Sequence, residues 1–316
     1  MLVSVRWLRK FLTFEFTLEE LLDALTYSGI EVESEIDLGY GSNPIVVGKI
    51  LAIEKHPNAE KLSVCQVEVG RDAPLQIVCG ANNMKSGDRV PAALEGAELP
   101  GGLSIKRASL RGVESHGMLC SAVELGYGHD ASGLLILPEN WKTGEPLDYL
   151  LDISITPNRP DWLSIFGVAR EVAAMRKQKI SYSGGRVSET IASIEGKAAV
   201  QVLNAAACPR YAARLIQQVK IGPSPAWLKV AIESVGLRSI NNVVDVTNYA
   251  LMEMGHPLHA FDLDRLPNRE IIVRNAAEDD YRLSAIILGI VNSPAFLMDQ
   301  VESTVSSAQS TTSMNH

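Results

Sequence analysis

The sequence predicts an α+β protein in which helical segments flank a run of short strands, and three observations carry that reading. Between about Gly39 and Leu150, short β-rich runs are separated by Gly, Pro, Asn and Asp. On either side of that region, apolar residues recur at helical spacing, from Leu18 to Leu25 and from Trp162 to Ala173. The length of 316 residues suggests two domains, or three small ones, at about 150 residues each.

Taken in order, the first element is a helix. Thr17 and Glu20 fit a capping box, and Leu18, Leu21, Leu22 and Leu25 lie on one face. Gly29 stands where a helix end favours a left-handed residue. Four strand runs follow, Ile45–Ile53, Leu62–Val69, Leu75–Val78 and Arg89–Leu94, and the segment 98–106 carries the turn Pro100-Gly101-Gly102 between apolar stretches. About five short strands in roughly 110 residues favour a small closed barrel over a sandwich. Asp161 then caps a second helix bearing Trp162, Ile165, Phe166, Ala169, Val172 and Ala173, with Arg176, Lys177 and Lys179 complementing its C-terminal dipole. The segment 181–197 reads as a polar linker. From Val200, a strand is expected over Tyr211–Val219, then a helix with Ser224 as cap, Pro225 at its first position and Gly236 at its end. Val243–Val246 reads as another strand. Asp280 caps a last helix with Leu283, Ile286, Ile287, Ile290 and Val291 on one face, followed by a Ser/Thr-rich tail that reads as disordered.

Composition excludes several classes. With 46% hydrophobic and 21% charged residues, and a mean hydropathy of +0.07, the chain is an ordinary globular one. The longest apolar run, Ala285 to Val291, is far short of the roughly 20 residues of a membrane helix. No secretory signal follows Arg6, Arg9 and Lys10, so a cytoplasmic location is expected, with neither membrane nor DNA as partner. A net charge of −8 and a pI near 5.4 exclude nucleic-acid binding through overall charge; any RNA site must be a local basic patch. Cys65, Cys79, Cys120 and Cys208 stand far apart with no zinc-ligand spacing, and read as buried reduced thiols.

Other signals fail on their context. Gly126-x-Gly128-x-x-Ala131 resembles a dinucleotide fingerprint but does not join a strand to a helix. Glu253, His256 and His259 have three-residue spacing, yet Pro257 breaks the helix that would align them as metal ligands. No phosphate loop and no Gly-x-Ser-x-Gly elbow occurs.

The specific signal lies between residues 39 and 150. His56 to Gly70 reads HPNAEKLSVCQVEVG, Ile77 to Asn83 reads IVCGANN, Leu99 to Lys106 reads LPGGLSIK, and Leu110 to Ser121 reads LRGVESHGMLCS. Together these resemble the tRNA-binding OB-type module of phenylalanyl-tRNA synthetase β subunits and of several tRNA-binding proteins. The flanks resemble the same subunit: Val3 to Leu8 (VSVRWL), Thr156 to Leu163 (TPNRPDWL), Gly222 to Leu228 (GPSPAWL), Asn241 to Tyr249 (NNVVDVTNY) and His256 to Asp262 (HPLHAFD). The resemblance runs from residue 1 to about 277 and identifies the chain as similar to the N-terminal part of that bacterial family.

The resemblance implies an OB-type barrel (39–150) inserted in a small helical/β domain (1–38 with 151–180). It implies, after these, the first part of an α+β editing-type module of the B3/B4 kind (200–277); residues 278–316 depart from the family as an unrelated helix and tail. Lys106, Arg107 and Arg111 are the candidate tRNA-binding residues, since residues 40–150 hold 10 Lys and Arg against 13 Asp and Glu and three cations cluster within six positions; the ordinary reading of each is a solvated charge. Thr247, Asn248 and His259 are carried over by position to the editing pocket, where His259 orients water or the ester, or else caps local backbone. Asn241 and Asn242 read as turn and backbone-satisfying residues, not catalytic ones. In the family, the β subunit pairs with a catalytic α subunit as α2β2, and the assembly charges tRNA with phenylalanine using ATP and Mg²⁺. This chain is expected to contribute no aminoacylation residue, to bind no metal or nucleotide itself, and to lack the main α-docking domain. Editing follows from chemistry: a phenylalanine pocket cannot strongly reject tyrosine, so a second site hydrolyses the mischarged product. The competing readings are a free-standing, non-catalytic tRNA-binding OB module and a metal hydrolase using His256 and His259.

Overall fold

A computed structural model of the chain describes residues 1–275, apart from 129, 183, 186 and 188–192. It divides into two compact units, Met1–Val187 with Val219–Ala260, and Ser188–Gln218 with Phe261–His316. The last helix and tail expected from Asp280 onward lie outside the described residues.

The first unit is α+β. It begins with β1 (Leu2–Ser4), α1 (Val5–Leu8), α2 (Leu18–Ser28) and β2 (Glu31–Leu38). Next come β3 (Ile45–Lys55), β4 (Ser63–Glu68), β5 (Leu75–Cys79), β6 (Arg89–Leu94), β7 (Ala108–Leu110), β8 (Val113–Ser115) and β9 (Gly117–Leu119). The chain then returns through β10 (Asp148–Ser154) and α3 (Ile165–Met175). α2 is built as its sequence demands. Thr17 Oγ1 accepts the Glu20 amide at 3.1 Å, the Glu20 carboxylate accepts the Thr17 amide at 2.9 Å, and Gly29 ends the helix at φ +86°. Leu21 and Leu25 are buried, and Leu18 and Leu22 pack against the same core.

β10 pairs antiparallel with both β1 and β2, in the order β1-β10-β2. Its successive side chains point to opposite faces, so Leu151 and Ile153 enter a core under α1–α3 while Leu150 enters the core beside the barrel. One strand therefore forms a wall of two cores. The junction is tied at buried Asp148, which accepts Ser4 Oγ at 2.5 Å, Tyr127 OH at 2.8 Å and the amides of Arg6 and Tyr149 at 2.9 and 2.7 Å.

The barrel strands form an antiparallel sheet in the order β5-β4-β3-β6-β9. Ile50, Cys65, Val67, Ile77 and Val90 point inward and are fully buried. The ends of the sheet approach each other: the His116 amide donates to the Gln76 carbonyl at 2.9 Å, and the Val78 amide to Ser115 Oγ at 3.0 Å. The result is a nearly closed barrel. Gly117, at φ +148°, permits the close approach of β9 to β6, because a Cβ there would stand 2.7 Å from the Ala93 carbonyl oxygen.

Several local expectations are corrected. Val243–Val246 is not a strand but the first turn of α5 (Asn242–Met254), which follows α4 (Ala226–Ser234). Asn241 Oδ1 accepts the amides of Val243 and Val244 at 3.0 Å each, and the buried Asp245 carboxylate gathers the Ile240 amide and the hydroxyls of Ser224 and Ser239. A cap of about 1 kcal/mol and a buried anchor outweigh the strand preference of a β-branched run. Because Ser224 is committed to Asp245, α4 starts from Pro225 with no side-chain cap. α3 is capped by Ser164, whose Oγ accepts the Gly167 amide, while Asp161 pairs with Arg159 and Arg170. Arg176 lies past the last turn of α3 and pairs with Glu20 at 2.7 Å.

The second unit contains β11 (Ala199–Val202) and β12 (Glu270–Val273), paired in parallel. The strand expected over Tyr211–Val219 does not form. The ladder to β12, 68 or more positions away, draws residues 199–202 instead, a pairing that no local pattern announces.

Candidate nucleic-acid interface

β7 and β8 form a hairpin beside the barrel, registered Ala108↔Ser115, Ser109↔Glu114 and Leu110↔Val113. Its two-residue turn is Arg111-Gly112, with φ of +49° and +88°. Both values match the primed hairpin turn whose twist suits the flanking strands. Lys106 and Arg107 enter the hairpin, and Arg111 stands at its tip; all three are exposed. The four-residue strand path from Arg107 to Arg111 separates their backbones by roughly 13 Å.

The three cations are not equivalent. Arg107 Nη2 meets Glu114 Oε2 at 2.5 Å across the ribbon, and His116 Nε2 lies 3.8 Å from the same carboxylate. This guanidinium holds the Glu114 carboxyl below its ordinary range. Among the described residues, neither Lys106 nor Arg111 has a carboxylate within 4.0 Å. The positive charge available to an anion is therefore concentrated on those two residues.

The hairpin is fastened to the barrel by residues to which sequence reasoning gave no role. His56 is nearly buried, and its Nε2 lies 3.0 Å from the Leu110 carbonyl, while its Nδ1 accepts the Asn58 amide at 3.0 Å. The pattern assigns the proton to Nε2. Asn58 Nδ2 donates to the Arg111 carbonyl at 3.0 Å. The signal was visible as a His-Pro-Asn run at the end of a strand, but its partners lie more than fifty positions away.

The editing candidates are placed differently. Thr247 and Asn248 are consecutive on α5, about 100° apart around the helix axis. The Thr247 hydroxyl donates to the Val244 carbonyl at 2.7 Å. His259 lies in an exposed stretch after Gly255, the left-handed cap of α5. Asn241 caps α5, and the Asn242 side chain ties the Lys220 carbonyl and Gly222 amide, so both asparagines are backbone-satisfying residues as expected.

The remaining candidates resolve simply. Among the described residues no three His, Cys, Asp or Glu side chains gather as a metal site; Glu253 instead accepts from Tyr249 OH at 2.6 Å. Gly126 ends a short 3-10 turn and does not open a helix after a strand. Cys65, Cys79 and Cys120 are buried free thiols, and burial pushes Cys65 to about 11 and Cys120 to about 12. No helix among the described residues is long and apolar enough to cross a membrane.

Comparison with known proteins gives two family matches. Residues 45–146 fit a tRNA binding domain family, and residues 207–286 fit the B3/4 domain family, a match that runs nine positions past residue 277, where the family resemblance is expected to end. Relatives match across both regions and their flanks. The phenylalanine–tRNA ligase beta subunit of Syntrophus aciditrophicus is 48% identical over 291 residues, covering 90% of this chain and 36% of the relative. That of Geobacter sulfurreducens is 49% identical over 89% of this chain and 36% of the relative, and that of Anaeromyxobacter dehalogenans 50% identical over 87% and 35%. The C-terminal domain of Plasmodium vivax p43, a solved structure, aligns with 32% of this chain and 57% of its own at 26% identity, with a TM-score of 0.25. This chain spans about a third of the length of the curated relatives it matches. Across nine-tenths of its own length, the chain is similar in sequence to phenylalanine–tRNA ligase beta subunits, at close to half identity.

Proposed function

We propose that this chain is a tRNA-binding part of a phenylalanine–tRNA ligase beta subunit, and that its barrel is an OB-type module gripping tRNA through the β7–β8 hairpin and the loops beside it. The observation that carries the reading is the juxtaposition of a tRNA binding domain match over 45–146 with exposed cations at a fixed hairpin. On an acidic chain, a local basic feature is what backbone recognition requires. Lys106 and Arg111 meet phosphates, and the barrel's loops supply the shape that fits folded RNA. The free-standing module is the weaker reading, because identity near 48% extends well outside the barrel.

The region 207–275 is, in this proposal, part of an editing module, with Thr247, Asn248 and His259 at its pocket. Its partner is a catalytic alpha subunit in an α2β2 assembly in the cytoplasm. ATP and Mg²⁺ serve that assembly, and the residues described here do not fit them. No acidic cluster for a divalent ion gathers among these residues, and no phosphate-cradling Gly-Lys loop occurs in the sequence. No step of adenylation is therefore assigned to this chain. With the Thr247 hydroxyl bonded within its own helix and His259 exposed, at most weak hydrolysis of tyrosine-charged tRNA is expected from the chain alone. Rapid hydrolysis abolished by His259→Ala would overturn that expectation.

The test is equilibrium binding of tRNA to the purified chain, with duplex DNA of equal length as competitor. Binding that resists the DNA supports the proposal. Absence of binding, or equal displacement by DNA, refutes it.

A further inference from the structure

The hairpin tip contains an anomaly. Arg111 holds φ +49°, a left-handed conformation that side chains other than Asn, Asp and Gly rarely adopt, at the turn position those three residues favour. For folding alone, an asparagine would serve better. The arginine side chain is exposed and has no carboxylate partner among the described residues, so nothing in the fold of those residues accounts for its presence.

The backbone on each side of that residue is held from the barrel. Asn58 donates to the Arg111 carbonyl at 3.0 Å, and His56 donates through Nε2 to the preceding carbonyl, that of Leu110, at 3.0 Å. The two holders brace each other, since the Asn58 amide donates to His56 Nδ1 at 3.0 Å, and the His56 amide is tied to the Leu62 carbonyl at 3.1 Å. β8 is anchored to the barrel at Glu114 and Ser115, so without His56 and Asn58 the exposed β7 residues and the tip are held through the three-pair ladder to β8.

We propose that His56 and Asn58 are positioning residues for Arg111: they lock the backbone of the strained tip so that its guanidinium is presented to an RNA phosphate from a fixed point. The proposal rests on the reading of the barrel as a tRNA-binding surface. Ordering the loop backbone beforehand removes a cost otherwise met on binding, worth roughly two- to tenfold in affinity.

The test is a double-mutant cycle on the full chain, with tRNA affinity measured over a series of salt concentrations for the wild type, Asn58→Ala, Arg111→Ala and the double variant. Asn58→Ala is expected to weaken binding roughly two- to tenfold and to lower the salt slope, but to add less than about twofold once Arg111 is alanine. A merely structural Asn58 would cost the same in both backgrounds and leave the slope alone, and that result overturns the proposal. Arg111→Asn supplies a second readout that does not depend on an Asn58 variant folding. It is expected to raise Tm while weakening binding; a lowered Tm means the tip stores no strain and also overturns the proposal. If Arg111→Ala changes nothing while Lys106→Ala lowers the slope, the positioning inference fails and the tRNA reading stands. If the wild type binds no tRNA, both fail.

Discussion

Replacing Glu233 with glutamine should make the protein's stability less sensitive to pH, by an amount the structure allows to be worked out. Glu233 lies on α4 at 2% exposure. Its Oε1 is 3.7 Å from Lys229 Nζ, but that ammonium is held at 2.8 Å by Asp130, and Oε2 has no hydrogen-bond partner. Burial pushes the carboxyl from 4.5 up to about 7, with Lys229 pulling it down and Asp130 and Asp245 pushing it further up. The folded state thus binds the proton more tightly than the unfolded chain. The associated stabilisation is complete below about pH 4.5 and is lost as pH rises through 7. At 1.36 kcal/mol per pKa unit, the loss amounts to about 3 kcal/mol. Glu233→Gln stays neutral throughout. Urea unfolding of both proteins at intervals from about pH 4.5 to 8.5, read as the difference between them so that shared titrations cancel, should show the variant gaining about 3 kcal/mol over the wild type. Parallel stability curves would refute the reasoning, as would a variant that loses ground as pH rises.

Two further substitutions probe the scaffold. Tyr127→Phe keeps the ring and removes one of four donors to the buried Asp148 carboxylate, so chemical denaturation should register a loss of about 2 kcal/mol with the fold intact. Thr17→Ala removes one half of the α2 capping box and should cost about 1 kcal/mol by the same measurement, with no change in tRNA affinity.

How much of this was legible in the sequence depended on how far each signal reached along the chain. α2 was readable to the residue because its cap, apolar face and terminating glycine all lie within thirteen positions. The barrel strands β3 to β6 were readable because Gly, Pro and Asp bracket each run. β1 was not: three residues show no period, and their partner Leu150–Asp152 is nearly 150 positions away. At Val243–Val246 the β-branched run spoke for a strand, and the decisive opposing contacts, Asn241 as cap and Asp245 buried among Ser224 and Ser239, are side-chain geometry that spacing does not reveal. The candidate site divides in the same way. Its cations were visible as a cluster, but the neutralisation of Arg107 by Glu114, and the fastening of Arg111 by His56 and Asn58, depend on hairpin register and barrel closure.

The most direct measurement of the central claim, that the β7–β8 hairpin holds tRNA by its phosphates, is the salt dependence of tRNA affinity for the chain and for the Lys106→Ala/Arg107→Ala/Arg111→Ala variant. Each phosphate contact adds roughly 0.7 to 0.9 to the slope of log K against log salt. With Arg107 already paired to Glu114 at 2.5 Å, the account predicts weaker binding and a slope reduced by two contacts, roughly 1.4 to 1.8, and not by three. An unchanged slope in the triple variant would contradict it and move the RNA site off this hairpin.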